Sequence, residues 1–82
     1  MASVTVRYWA AARAAAGRAE DELSGRTLDT VLDHATLVHG PALARVLAVS
    51  SFLVDGERAD RNSAAPLRPS CVVEVLPPFA GG

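Results

Sequence analysis

The chemistry this sequence offers is concentrated in its last six residues, Pro77-Pro78-Phe79-Ala80-Gly81-Gly82. Two prolines cannot donate to a sheet ladder and hold the chain extended, so six residues reach outward by up to about 20 Å. Two terminal glycines carry no side chain to block a narrow channel, which lets a backbone carboxylate approach a nucleotide closely. The expectation is a tail threaded into another protein's active site, with the Gly82 carboxylate as the reacting group. The competing reading is a frayed end, since a Gly-Gly terminus arises by chance in about 0.5% of chains. The tail's place directly after a valine-rich strand in so short a chain argues against fraying.

Positioning such a tail requires a small folded body, and the sequence supplies its elements in order. Ser3 to Trp9 alternates, with Val4, Val6 and Tyr8 on one side and Thr5, Arg7 and Trp9 on the other, the period of a half-buried strand. Ala10 to Ala16 is alanine around Arg13, a short helical turn ended by Gly17. Arg18 to Leu23 is polar and acidic and reads as an exposed second strand. After Thr27, the residues Leu28, Val31, Leu32, Ala35 and Val38 form the apolar stripe of an amphipathic helix, with Asp29 near its positive end. Gly40 and Pro41 stop it, and Pro41 opens a second short helix to Leu47.

Phe52 to Val54 then runs into Asp55-Gly56, a strong two-residue hairpin signal, and Glu57 to Asp60 returns. Pro66 and Pro69 mark a loop before the final strand, Cys71 to Leu76. That strand sets Cys71, Val73 and Val75 against Val72, Glu74 and Leu76, and the charged Glu74 marks the second face as exposed. The order strand, strand, helix, strand, strand, strand predicts an α+β fold in which a mixed sheet packs on one main helix.

Length and composition narrow the function. The 82 residues fit one domain, 1–82, with 77–82 as its tail. A chain of this size buries only about 60% of its unfolded surface, which favours a carrier or binding role over a walled-off catalytic pocket. Net charge is −1, and the eight basic residues are spread along the chain, so nucleic acid is not expected as a partner. All eight are arginine, leaving no lysine amine to accept an acyl group. A single cysteine, Cys71, excludes an internal disulfide and a multi-cysteine metal site and fits a reducing compartment, the cytoplasm. No apolar run approaches the ~20 residues of a membrane span, and no signal peptide is expected at the N-terminus.

The run Val75-Leu76-Pro77-Pro78-Phe79-Ala80-Gly81-Gly82 resembles the C-terminal signature of the MoaD/ThiS family of sulfur carriers, with the Pro-Pro pointing to small subunits of molybdopterin synthase. The resemblance extends along the chain through the aromatic pair Tyr8 and Trp9, the turn with Arg13, the helix and the Asp-Gly hairpin. It departs before the last strand, where Arg68-Pro69-Ser70-Cys71 stands in place of a Gly-Asp-Glu-Val-like turn, which must therefore be built differently.

What the resemblance implies is a ubiquitin-like β-grasp fold and a chain with no complete active site of its own and no bound cofactor. A ubiquitin-activating-like adenylyltransferase (MoeB-like) spends ATP to adenylate Gly82, and sulfur replaces AMP to leave a thiocarboxylate. A large subunit (MoaE-like), joined in a heterotetramer, then receives the tail and uses the sulfur to build molybdopterin. The alternatives are a carrier for thiamin or cysteine biosynthesis, or a ubiquitin-like protein modifier.

The β-grasp arrangement sets the first and last strands side by side and parallel. A register pairing Arg7 with Glu74 then puts Trp9 beside Leu76 at the root of the tail, an exposed apolar patch that suits partner docking. The partner-binding residues expected are therefore Leu76, Pro78, Phe79, Ala80, Gly81 and Trp9, with Arg13 added by the family resemblance. Cys71 begins a strand on its core-facing side and reads as a buried, inert thiol. His34 and His39 lack a second metal ligand nearby in sequence; His39, near the helix end, answers the dipole. Asp29 and Asp33 read as a solvated helix face. Leu32 and Val73 are expected at the centre of the core.

Overall fold

The computed structural model describes residues 3–78. These form β1 (Val4–Tyr8), α1 (Ala10–Ala16), β2 (Glu20–Leu23), α2 (Leu28–His39), α3 (Pro41–Leu47), β3 (Ser51–Val54), β4 (Glu57–Ala59) and β5 (Val72–Leu76). The strands make one mixed sheet in the order β2-β1-β5-β3-β4. β5 lies in the middle, parallel to β1 and antiparallel to β3, while β2 and β4 pair antiparallel at the two edges.

Alternation along the strands decides which side chains reach the core. Val4, Val6 and Tyr8 of β1 and Val73 and Val75 of β5 are at most 2% exposed. They pack with Leu28, Val31, Leu32 and Ala35 of α2 and Leu43 and Leu47 of α3 in one hydrophobic cluster. Leu32 and Val73 are both fully buried, as the apolar stripes of their elements require. The two short helices contribute as well: Ala12 and Ala16 of α1 are buried, so α2 shares the covering of the sheet with α1 and α3.

Local chemistry accounts for the ends of the elements. Gly17 sits at φ +75 and donates its N–H to the Arg13 carbonyl at 2.9 Å, a left-handed cap that costs glycine nothing. Thr27 caps α2 by accepting the Thr30 N–H at 3.3 Å, with Asp29 in the first turn. Asp55 and Gly56 both have positive φ, +50 and +84, as a tight two-residue hairpin turn demands. The Asp55 carboxylate also accepts the Val72 N–H at 2.9 Å, tying this turn to the start of β5.

Several expectations need correction. β2 is not simply exposed: Asp21 and Leu23 face inward and are buried, because the edge strand sends alternate residues under the helices. The α2 stripe does not end at Val38, which is 55% exposed; from Ala35 the inward face passes four residues on to His39. Asp29 and Asp33 are not merely solvated, since Arg61 reaches both carboxylates, at 2.7 and 2.9 Å, and pins the loop after β4 to α2. The turn before β5 places Ser70 at φ +64, its N–H donating to the Ser3 carbonyl at 2.9 Å.

Candidate functional site

The site is the end of β5 and the surface around it. Because β5 is central and parallel to β1, its C-terminal end emerges in the middle of the sheet beside the C-terminal end of β1. Pairing with β3 lasts until Ser51 opposite Leu76. Pro77 follows, and with no N–H to donate, the chain leaves the sheet there. Pro78 is exposed. The expected site residues Phe79, Ala80, Gly81 and Gly82 lie outside the described residues.

The sheet face away from the core presents one row across all five strands: Glu20, Arg7, Glu74, Leu53 and Arg58. Arg7 stands opposite Glu74 as expected, and continuing the register one residue beyond its last pair, Tyr8 and Val75, brings Trp9 opposite Leu76. Trp9 is 47% exposed, and its indole N–H donates to a Glu74 carboxylate oxygen at 3.3 Å. That contact changes the charge pairing. Arg7 makes its ion pair with Glu20, at 3.3 Å across the antiparallel β1–β2 pair, and Glu74 serves the indole instead. The root of the tail is thus flanked by an exposed, polar-anchored tryptophan and the half-buried Leu76. Arg13 is exposed on α1 and shares a shallow depression with Gly17, Arg18 and Ala19.

Beneath Trp9 the fold carries a buried polar cluster that no motif in the sequence announces. Asp21 accepts the Tyr8 hydroxyl at 2.8 Å and contacts His39 Nε2 at 2.6 Å, both through Oδ2; Arg18 lies 3.1 Å from Oδ1. The Tyr8 and His39 rings meet edge to face, with centroids 5.9 Å apart. Burial by itself would raise the Asp21 pKa, but the hydrogen bonds from His39 and Tyr8 and the nearby charges outweigh it and hold the carboxyl below its usual range. Burial, reinforced by the bond to Asp21, pushes the Tyr8 phenol well above its ordinary value. The signal in the sequence was positional: His39 lies four residues beyond Ala35 on the inward face of α2, and Asp21 shares a face of β2 with Leu23. The cluster ties β1, β2 and the end of α2 together just below the tail root.

Cys71 is buried, and burial followed by the charge of Asp55 raises its thiol pKa, so it is a poor thiolate nucleophile. The His34 Nδ1 lies 3.3 Å from the Ser24 carbonyl, away from any second ligand. Among the described residues no group of three or more His, Cys, Asp or Glu is placed to hold a metal ion. No helix among them is long and apolar enough to cross a membrane.

A five-stranded mixed sheet under three helices, with β5 at its centre parallel to β1, defines a ubiquitin-like β-grasp protein. Within that class the chain belongs to the ThiS family, which its sequence matches over residues 6–82. It therefore has the ThiS/MoaD-like sulfur-carrier fold. The solution structure of small archaeal modifier protein 1 (SAMP1) from Methanosarcina acetivorans is similar at 30% identity, covering 100% of this chain and 98% of that one, with a TM-score of 0.83. The BexX/CysO complex of Amycolatopsis orientalis contains a chain 25% identical, covering 96% and 99%, at a TM-score of 0.78. The complex of subunits 1 and 2 of molybdopterin-converting factor from Helicobacter pylori contains one at 24% identity, covering 98% and 99%, at 0.70. Two of these three relatives are thus seen in complexes with another protein. A comparison with curated proteins by sequence gives no match.

Proposed function

We propose that this protein is a sulfur carrier that works through the carboxylate of Gly82 and serves as the small subunit of a molybdopterin synthase. The observation that carries the reading is the exit of the chain from the central strand β5 at Pro77 and Pro78, beside exposed Trp9, in a chain that matches the ThiS family through residue 82. An activating enzyme of the adenylyltransferase kind joins the Gly82 carboxylate to AMP from ATP, releasing pyrophosphate. A sulfur nucleophile at the oxidation level of sulfide then attacks the acyl carbon, AMP leaves, and a thiocarboxylate remains. The body of the fold contributes rigidity: β5 is held on both sides, so the chain leaves the sheet at Pro77 from a fixed point. The open sheet face around Trp9 and Leu76 suits docking to the activating enzyme and to a large subunit, as the Pro-Pro-Phe-Ala-Gly-Gly ending favours.

One observation supports a second reading. The 30% identity to a small archaeal modifier protein, across the whole chain, favours a ubiquitin-like modifier that uses the same activated glycine for conjugation to amines. An ATP–pyrophosphate exchange assay with the activating enzyme tests the chemistry common to both. Deleting Gly82 is expected to abolish exchange while the protein stays folded; exchange at the full rate without Gly82 contradicts the proposal. Dithiolene formation on a pterin precursor by the charged protein with the large subunit supports the first reading, and isopeptide-linked adducts in host lysate support the second.

A further inference from the structure

Trp9 is held more firmly than an exposed side chain at the end of a strand requires. Its backbone is fixed from both sides. Before it, Tyr8 stands opposite Val75 and donates its N–H to the Ala19 carbonyl at 2.8 Å. After it, the Trp9 carbonyl accepts the Ala12 N–H at 3.0 Å and so opens α1. Between strand and helix stands Ala10 at φ +49, a left-handed conformation disfavoured for any residue with a Cβ. Such a conformation persists only where its surroundings impose it. The corner therefore sets the direction in which Trp9 leaves the backbone, and only its side-chain torsions remain free.

Glu74 takes up that freedom. It lies on the central strand β5, on the open face of the sheet, opposite Arg7 on one side and Leu53 on the other. Arg7, the cation that the register sets beside it, is turned to Glu20 at 3.3 Å, and Glu74 makes no ion pair among the described residues. One of its oxygens instead accepts the indole N–H at 3.3 Å, and an ionised acceptor makes the stronger kind of hydrogen bond. The carboxylate is half-buried, while the ring it holds is 47% exposed. A wet tryptophan is thus oriented by a residue 65 positions away in the chain.

We propose that Glu74 is a positioning residue for partner docking: it holds the Trp9 indole in the free protein at the angle the partner receives, so that the ring is ordered before the partner arrives. The inference rests on the reading that Trp9 anchors a partner, and it does not depend on which chemistry follows at Gly82. Ordering one rotamer-rich side chain on association lowers affinity by about two- to tenfold, and a pre-set indole avoids that loss.

The test joins NMR relaxation of the indole N–H in the free full chain to calorimetric titration with the host's adenylyltransferase-type activating enzyme. The chain has a single tryptophan, so the indole signal is unambiguous. In the wild type this N–H is expected to be as ordered as the backbone of β1; in Glu74→Ala it is expected to be mobile, with an unchanged far-ultraviolet circular dichroism spectrum. Glu74→Ala should weaken binding by about two- to tenfold. Glu74→Gln, whose amide oxygen still accepts the N–H, should restore both order and affinity. In a Trp9→Ala background, Glu74→Ala should have no further effect, because Glu74 acts only through the indole. An indole equally ordered with and without Glu74 overturns the proposal and leaves Trp9 standing as an anchor. A glutamine that fails to rescue, or a Glu74 effect that persists without Trp9, overturns it as well by assigning Glu74 a direct charge contact with the partner. Trp9→Ala binding at wild-type affinity overturns the docking reading itself, and the proposal with it.

Discussion

Replacing Asp21 by alanine removes the one acceptor that Tyr8 and His39 share. Asp21 is 7% exposed, and its Oδ2 lies 2.8 Å from the Tyr8 hydroxyl and 2.6 Å from His39 Nε2. Without it two polar side chains remain at a largely dry site, each costing about 1–3 kcal/mol when left without a partner. The Arg18 contact adds little, about 0–1 kcal/mol, because the arginine side chain is 61% exposed. Together these give a loss of about 2–7 kcal/mol, a large share of the 5–15 kcal/mol typical of a domain. Urea denaturation followed by far-ultraviolet circular dichroism measures it. A Tyr8→Phe background should shrink the loss, because two residues of one cluster are not additive. The effect also has a pH signature. The folded Asp21 carboxyl titrates below its unfolded value, so its stabilisation is full above the unfolded pKa of about 3.9 and disappears as pH falls through the folded pKa. The gap between wild type and Asp21→Ala is therefore widest near neutrality and narrows in acid. A loss under about 1 kcal/mol at pH 7, or a gap that widens on acidification, refutes the reasoning.

Two further outcomes follow from the backbone and the surface. Ser70→Gly should raise stability by about 0.5–1 kcal/mol, since φ +64 strains any residue with a Cβ; an unchanged denaturation midpoint contradicts this. Trp9→Ala should leave the protein folded, because Trp9 is half exposed and its side-chain bond to Glu74 lies at the surface. The same change should weaken partner binding by about 30-fold or more, read by calorimetric titration, and unchanged affinity excludes Trp9 as an anchor.

How much of this was legible in the sequence depended on whether the signal was local. Val4, Val6 and Tyr8 alternate within five residues, Asp55-Gly56 specifies its own turn, and Pro41 starts α3 by fixing its own φ; each was readable without knowing its neighbours in space. The Arg7–Glu74 register was readable because a β-grasp topology leaves the first and last strands adjacent and their alternation fixes the faces. Side-chain choices among several neighbours were not readable. Arg7 had Glu20 on one side and Glu74 on the other, and the indole of Trp9 decided between them. Asp21 looked like one more charge on an acidic edge strand until Tyr8 and His39 converged on it from sites 13 and 18 residues away. Arg61 likewise found Asp29 and Asp33 only through the return of the loop after β4.

The central claim is that Gly82 carries sulfur, and intact-mass spectrometry of the protein purified from its native host tests it most directly. The account predicts a population heavier by one exchange of oxygen for sulfur, localised by fragmentation to Gly82 and removed by alkylation or hydrolysis of the thio-acid. Protein found only with an unmodified carboxylate or as high-mass conjugates, under conditions where the host is making sulfur-containing cofactors, contradicts it.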